Sequence, residues 1–207
     1  MTDELPFELE TELERRIAAE PEWREGVEWG EARRGHPEGA VKHHIADVLA
    51  NLDREAISPD DRRRLRLAAL VHDTFKFRAP EASARVGSEG HHGSHAARFL
   101  ARFVDDEELL EIVRWHDEAF AAWLGFKRGE RRPAEDRARA LIQRLGPALP
   151  LYLRFFRADN ATEGKSPESL RWLERIVRRR VRSPRAPRLS AEPRSRQPVV
   201  GSERPIS

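Results

Sequence analysis

All eight histidines of this 207-residue chain fall between His36 and His116, and one of them, His72, stands beside Asp73 at the end of the apolar run Leu67-Ala68-Ala69-Leu70-Val71. A His-Asp pair that closes a buried helix needs a polar or metallic partner, because an unpaired buried charge costs several kcal/mol or more. The chain has no cysteine, so disulfides and thiolate ligation are excluded and any metal must be held by imidazole and carboxylate. The partners within the sequence are His43 and His44 upstream, His91, His92, His95 and His116 downstream, and finally Asp159. This clustering points to a metal site.

The elements that must carry these groups all read as helices. Helical periodicity is expected over Phe7 to Ala19, Pro37 to Asp53, Pro59 to Thr74, Ser88 to Phe103, Asp106 to Phe120, Pro133 to Leu145, Leu149 to Asn160 and Ser166 to Arg182, and no alternating stretch makes a strand. Ser58-Pro59-Asp60-Asp61 and Ser166-Pro167-Glu168 each place a capping side chain before a proline at the first helical position. The fold class is therefore all-α. The expected organisation is a lead-in over residues 1–34, a helical domain over 35–182 and a basic, disordered tail over 183–207.

The candidate ligands fall on the apolar faces of these helices. His44 lies three residues after Val41 and four before Val48, on the stripe of Ile45, Leu49 and Leu52, whereas His43 is turned away by about 100°. His72 follows Leu65, Ala68 and Ala69 at spacings of seven, four and three. His116 shares a face with Leu109, Ile112 and Val113, and Asp159 follows Tyr152, Phe155 and Phe156 in the same way. One inward histidine is usually a satisfied core residue; four helices each bringing one such group inward is a pattern. Between Gly90 and Gly93 the assignment stays open, since His91 or His95 can reach a metal and His92 can serve as a donor behind it.

These segments, in this order, resemble the HD-domain metal-dependent phosphohydrolases, all-α proteins named for the His-Asp dipeptide. The resemblance runs from about Gly35 to Lys165. Val41-Lys42-His43-His44 looks like the first ligand segment and selects His44; His72-Asp73-Thr74-Phe75-Lys76 looks like the H-D-x-x-K motif; Gly90-His91-His92 resembles the G-H segment and selects His91; Ile112-Val113-Arg114-Trp115-His116 and Arg157-Ala158-Asp159 resemble the remaining two. The start Gly35-His36-Pro37-Glu38-Gly39 is similar to HD domains attached to tRNA nucleotidyltransferases.

The resemblance implies a single HD-domain bundle in which His44, His72, Asp73 and Asp159 hold one divalent ion and His91 and His116 a second, with Asp73 bridging. Imidazole-rich ligation favours Fe, Mn, Co, Ni or Zn over Mg. Asp73 and Lys76 are the expected catalytic groups, Lys76 as a charge for a phosphate oxygen. His43, His92, His95 and Asp117 are expected behind the ligands or around the pocket, although a carboxylate one residue beyond His116 on a continuous helix points about 100° away. The implied activity is hydrolysis of a phosphate ester or anhydride of a nucleotide or related small phosphate. The alternatives are a single-metal nucleotidase and a non-catalytic module that binds nucleotide or RNA.

Charge is unevenly spread. The whole chain carries +2, but residues 171–207 carry 11 arginines against 3 glutamates, a net of +8, which leaves −6 for the rest. A basic tail can bind nucleic acid; without interleaved aromatic residues the reading as a solvated terminus is preferred. No apolar run approaches the roughly 18 residues needed to span a bilayer, and the acidic start lacks the features of a signal peptide, so a cytoplasmic location with a small-molecule partner is expected. The oligomeric state is not legible.

Overall fold

Side chains that accept hydrogen bonds from the first turn set the starts of several helices. Thr11 accepts from the Glu14 N–H and begins α1 (Glu12–Ala18); Ser58 accepts from Asp61 and begins α4 (Pro59–Val71); Asp106 accepts from Leu109 and begins α6 (Glu107–Arg114). The remaining helices are α2 (Pro21–Glu28), α3 (Val41–Asp53), α5 (His92–Leu100), α7 (Glu118–Lys127), α8 (Arg131–Leu145), α9 (Leu149–Asn160) and α10 (Glu168–Arg182), with short 3-10 turns at Lys76–Arg78 and Gly146–Ala148. This computed structural model describes residues 4–32, 39–78, 85–162 and 165–182. Among them there is no strand, so the all-α class holds. The expected tail at 183–207 and the His36-Pro37-Glu38 start lie outside the described residues.

Two expectations are corrected by backbone chemistry. The lead-in holds two helices, because Pro21 starts α2 after the turn that ends α1. The stretch Asp106 to Phe120 is not one helix: Trp115 leaves helical geometry at φ −108° and ψ 13°, and a new helix begins at Glu118. The break is held by the buried Tyr152 hydroxyl, 3.1 Å from His116 O and 3.4 Å from Trp115 O, the latter also accepting the Glu118 N–H at 3.0 Å.

The site rests on α3, α4 and α9, which pack on one another, and on the α5 and α6 pair. Residues Leu65 to Val71 of α4 are all buried, so this helix is the centre of the core. The lead-in packs directly on it. Trp23 of α2 donates its indole N–H to the Leu70 carbonyl at 2.9 Å, and a Cβ at Gly26 would stand 1.9 Å from the Thr74 carbonyl oxygen, so only glycine lets α2 approach the His-Asp turn.

One buried charge pair fastens the same contact. Arg66 donates to Glu14 at 2.8 and 3.0 Å and to the Glu8 carbonyl at 2.8 Å, with both side chains almost wholly excluded from solvent. Arg66 also lies 3.0 Å from Glu10, so removing Glu14 leaves the buried guanidinium with one half-exposed carboxylate and a carbonyl in place of its buried partner. Glu14→Ala is expected to lower unfolding stability by about 3 kcal/mol in urea titration; a loss under about 1 kcal/mol would show that Glu10 takes over the pairing of Arg66.

Candidate metal centre

The end of α4 creates the centre of the site. The helix stops at Val71, and His72 keeps helical geometry while the chain turns away over residues 72–75. The Thr74 hydroxyl donates to the Leu70 carbonyl at 2.9 Å, alongside the Trp23 indole, satisfying a group that the ended helix leaves open. The turn delivers the Asp73 carboxylate between two pairs of imidazoles.

Its two oxygens serve opposite sides. Oδ2 lies 3.6 Å from His44 Nε2 and 3.5 Å from His72 Nε2. Oδ1 lies 3.4 Å from His92 Nε2 and 3.3 Å from His116 Nε2. Within each pair the facing nitrogens are close, 3.2 Å for His44 and His72 and 3.1 Å for His92 and His116. Asp159, carried in by α9, closes the first side with Oδ1 at 2.9 Å from His44 Nε2 and 3.7 Å from His72 Nε2. Asp117 closes the second, with Oδ2 at 3.1 Å from His92 Nε2 and 3.5 Å from His116 Nε2.

The backs of two rings show what the fronts offer. His72 Nδ1 meets the Ala69 carbonyl at 3.0 Å and His116 Nδ1 meets the Val113 carbonyl at 2.8 Å. A carbonyl only accepts, so each Nδ1 carries a proton, and in the neutral ring each Nε2 is left with a lone pair facing the cluster. Lone pairs converging with carboxylate oxygens suit a divalent cation, and this donor set of four imidazoles and three carboxylates fits metal binding. Two groups with all ligand atoms within 4.8 Å of one another are His44, His72 and Asp73, then Asp73, His92 and His116.

The structure exchanges the positions expected of His91 and His92. His92 Nε2 meets Asp73 and His116, whereas His91 caps α5, its Nδ1 accepting the Gly93 N–H at 3.1 Å. An Nδ1 that accepts leaves the proton on Nε2, and that Nε2 lies 3.7 Å from Asp117 Oδ2, within a third group of His91, His92 and Asp117. The G-H resemblance selects His91, but as the cap residue it leaves helical geometry and its ring does not follow the helix face.

Two rim candidates are not brought to the site. His43 is solvent-exposed, as its position on α3 requires, and His95 Nδ1 accepts from the Arg98 guanidinium at 2.8 Å on the outer side of α5. Asp117 is brought in more fully than expected, because the break between α6 and α7 removes the 100° offset of a continuous helix. The group missed by sequence reasoning is Lys165, whose ammonium lies 2.7 Å from Asp159 Oδ1. Lys76 sits in the corresponding way 2.6 Å from Asp73 Oδ2.

The electrostatics follow from this crowding. Burial works against the charge on Asp73, but Lys76 and His72 outweigh it and hold the carboxyl well below its usual range; Lys165 and His44 do the same for Asp159. Burial also opposes ionisation of Asp117, and His116 and His92 overcome it. His92 is pushed up to about 9 because its bonds to Asp117 and Asp73 exceed the burial cost, whereas burial and the neighbouring His92 push His91 down to about 4.

Gly93 permits the approach of α5 to the break after α6. A Cβ there would lie 2.8 Å from the Arg114 carbonyl oxygen and 3.2 Å from His116 Nδ1. Gly93→Ala is expected to cost about 1–3 kcal/mol of stability through overpacking and to weaken metal binding by displacing His116. Thermal melts with and without added Mn(II) read both effects; unchanged melts would mean that the backbone yields at no cost.

A family model described as HD domain matches residues 40–146, just over half of the chain. This chain belongs to the HD-domain family. Membership places it in the superfamily of metal-dependent phosphohydrolases, and the His and Asp clusters fit the HD metal-binding site. The match ends before α9, so the placement of Asp159 and Lys165 rests on their geometry alone. No curated protein and no solved structure matches the chain. No described helix is long and apolar enough to cross a membrane.

Proposed function

We propose that this HD protein is a two-metal phosphohydrolase acting on a nucleotide or a related small phosphate. The observation that carries the reading is the division of Asp73, one oxygen toward His44 and His72 and the other toward His92 and His116. His44, His72, Asp73 and Asp159 would hold one ion and Asp73, His92 and His116 the other, with Asp117 beside the second. Fe or Mn suits the mixed imidazole and carboxylate set, and Co, Ni or Zn the imidazoles. Divalent ions held there supply the positive charge that activates a water near neutral pH and neutralises the phosphoryl group under attack.

The chain's own residues supply the rest. The Ala69 and Val113 carbonyls fix the tautomers of His72 and His116. Lys76 brings a cation to the non-bridging oxygens of a phosphoryl group as the bond from phosphorus to the leaving oxygen breaks. Burial of nearly every other site group excludes bulk water and strengthens each of these interactions.

The test is a screen of purified protein, loaded with Mn, Fe, Co or Ni, against nucleoside mono-, di- and triphosphates, dinucleoside polyphosphates and cyclic nucleotides. The expected result is turnover of one class that disappears when His72→Ala and Asp73→Ala are combined, with two equivalents of metal bound per chain. One equivalent would replace the dinuclear reading with the single-metal one. Equal activity of the wild type and the double variant would remove the site assignment.

A further inference from the structure

Most of the site is closed to solvent, and its few accessible groups mark the way in. The side chains of Lys76, Lys165 and Asp117 are 20%, 24% and 35% exposed, while those of His44, His72, Asp73, His92, His116 and Asp159 are at 10% or less. An anion approaching the cluster therefore meets two ammonium groups, each resting on a carboxylate of the inner site, and the Asp117 carboxylate, which is itself held beside His92 and His116.

The turn that carries Lys165 is built from buried polar side chains. The Asn160 amide donates to the Ser166 carbonyl at 2.9 Å and its oxygen accepts from the Ser169 hydroxyl at 2.7 Å. The Thr162 hydroxyl donates to the Asp159 carbonyl at 2.9 Å, and the Lys165 N–H donates to the Thr162 carbonyl at 3.3 Å. Asn160, Thr162 and Ser169 are all buried. All four bonds join described residues between 159 and 169, so they tie the end of α9 and the start of α10 on either side of Lys165. Polar groups are buried at little cost only when they satisfy one another, and here the satisfied set presents one lysine to one carboxylate.

We propose that Lys165 is a positioning residue for the substrate phosphate: its ammonium neutralises Asp159 until a divalent ion takes that carboxylate, and it then holds a phosphoryl oxygen opposite Lys76. This rests on the phosphohydrolase reading given above. A lysine suits the exchange because its compact charge sits on a flexible stem and can leave one oxygen for another without rebuilding a planar fork. Competition between a lysine and a metal for Asp159 also gives the role a signature that a purely structural lysine lacks.

The experiment titrates wild type, Lys165→Met and Lys165→Arg with Mn(II) alone, then titrates the metal-loaded proteins with inorganic phosphate by calorimetry. In Lys165→Met, Mn(II) binding should tighten by about threefold or more because a competing cation is gone. Phosphate binding should weaken about tenfold or more, the loss of one charge-assisted hydrogen bond, and Lys165→Arg should recover part of it. Unchanged phosphate affinity in Lys165→Met, absent phosphate binding by the wild type, or parallel weakening of metal and phosphate would each overturn the proposal. If the lysine dependence holds but no phosphate compound in the screen is hydrolysed, the phosphohydrolase reading fails and the anion site stands.

Discussion

Asp73→Asn is expected to lower phosphate hydrolysis by more than about 10³-fold and to reduce bound metal to one equivalent or less. The magnitude follows from position. Loss of a group behind a metal ligand already costs about 10- to 100-fold in affinity or activity, and Asp73 stands in front, facing both imidazole pairs. The amide keeps the shape of the carboxylate but gives up its charge and replaces one oxygen with a donor, so at most one pair of imidazoles retains an acceptor opposite it. In the metal-free protein the same change leaves the Lys76 ammonium, 2.6 Å away, without its partner. The apo form should therefore melt lower than the wild-type apo form, and added Mn(II) should recover little of the difference. Metal analysis together with melts separates the effects: full activity with two equivalents retained would show that the imidazoles and the other carboxylates suffice.

How far this site was legible in the sequence depended on whether each ligand follows a regular helix. His44 and Asp159 lie within α3 and α9, where a spacing of three and four from buried neighbours settles the direction of the side chain, and both were placed correctly inside. His72 ends its stripe in the same way. Where the helix is interrupted the rule loses its basis. The change at Trp115 turns Asp117 inward, and nothing in Trp115-His116-Asp117 announces it, because the His116 carbonyl is satisfied by Tyr152 from α9, 36 residues away. Pairing at such separation has no local trace. Lys165 was hidden for a related reason: it lies outside the helices, between Asn160 and Ser169, which bond each other and which periodicity treats as the end of one helix and the start of another. The helices themselves were legible because burial acts on a repeating pattern. Their ends were less so, since α3 begins at Val41 and α5 at His92, four residues inside each expected start.

The exchange of His91 and His92 carries the second large expected effect. His92→Ala should remove one metal equivalent and lower hydrolysis by about 10²-fold or more, whereas His91→Asn should keep both equivalents. The asparagine is chosen because His91 Nδ1 accepts the Gly93 N–H at the start of α5, and asparagine is among the strongest acceptors at a helix start. It preserves the helix while removing the imidazole. Alanine at the same position would also remove the cap, at about 1 kcal/mol, and would confuse a frayed helix with a lost ligand. His92 is the first residue of α5 but not its cap, so alanine removes only the ring that faces Asp73 Oδ1, Asp117 Oδ2 and His116 Nε2. Two rings 4.2 Å apart by their centroids are thus separated by tautomer: the first has its proton on Nε2 and cannot offer a lone pair without giving up the cap, and the second has no such tie. If His91→Asn lost an equivalent of metal while His92→Ala kept both, the G-H resemblance would be right about the ligand, and the α5 cap would have to open when the metal binds.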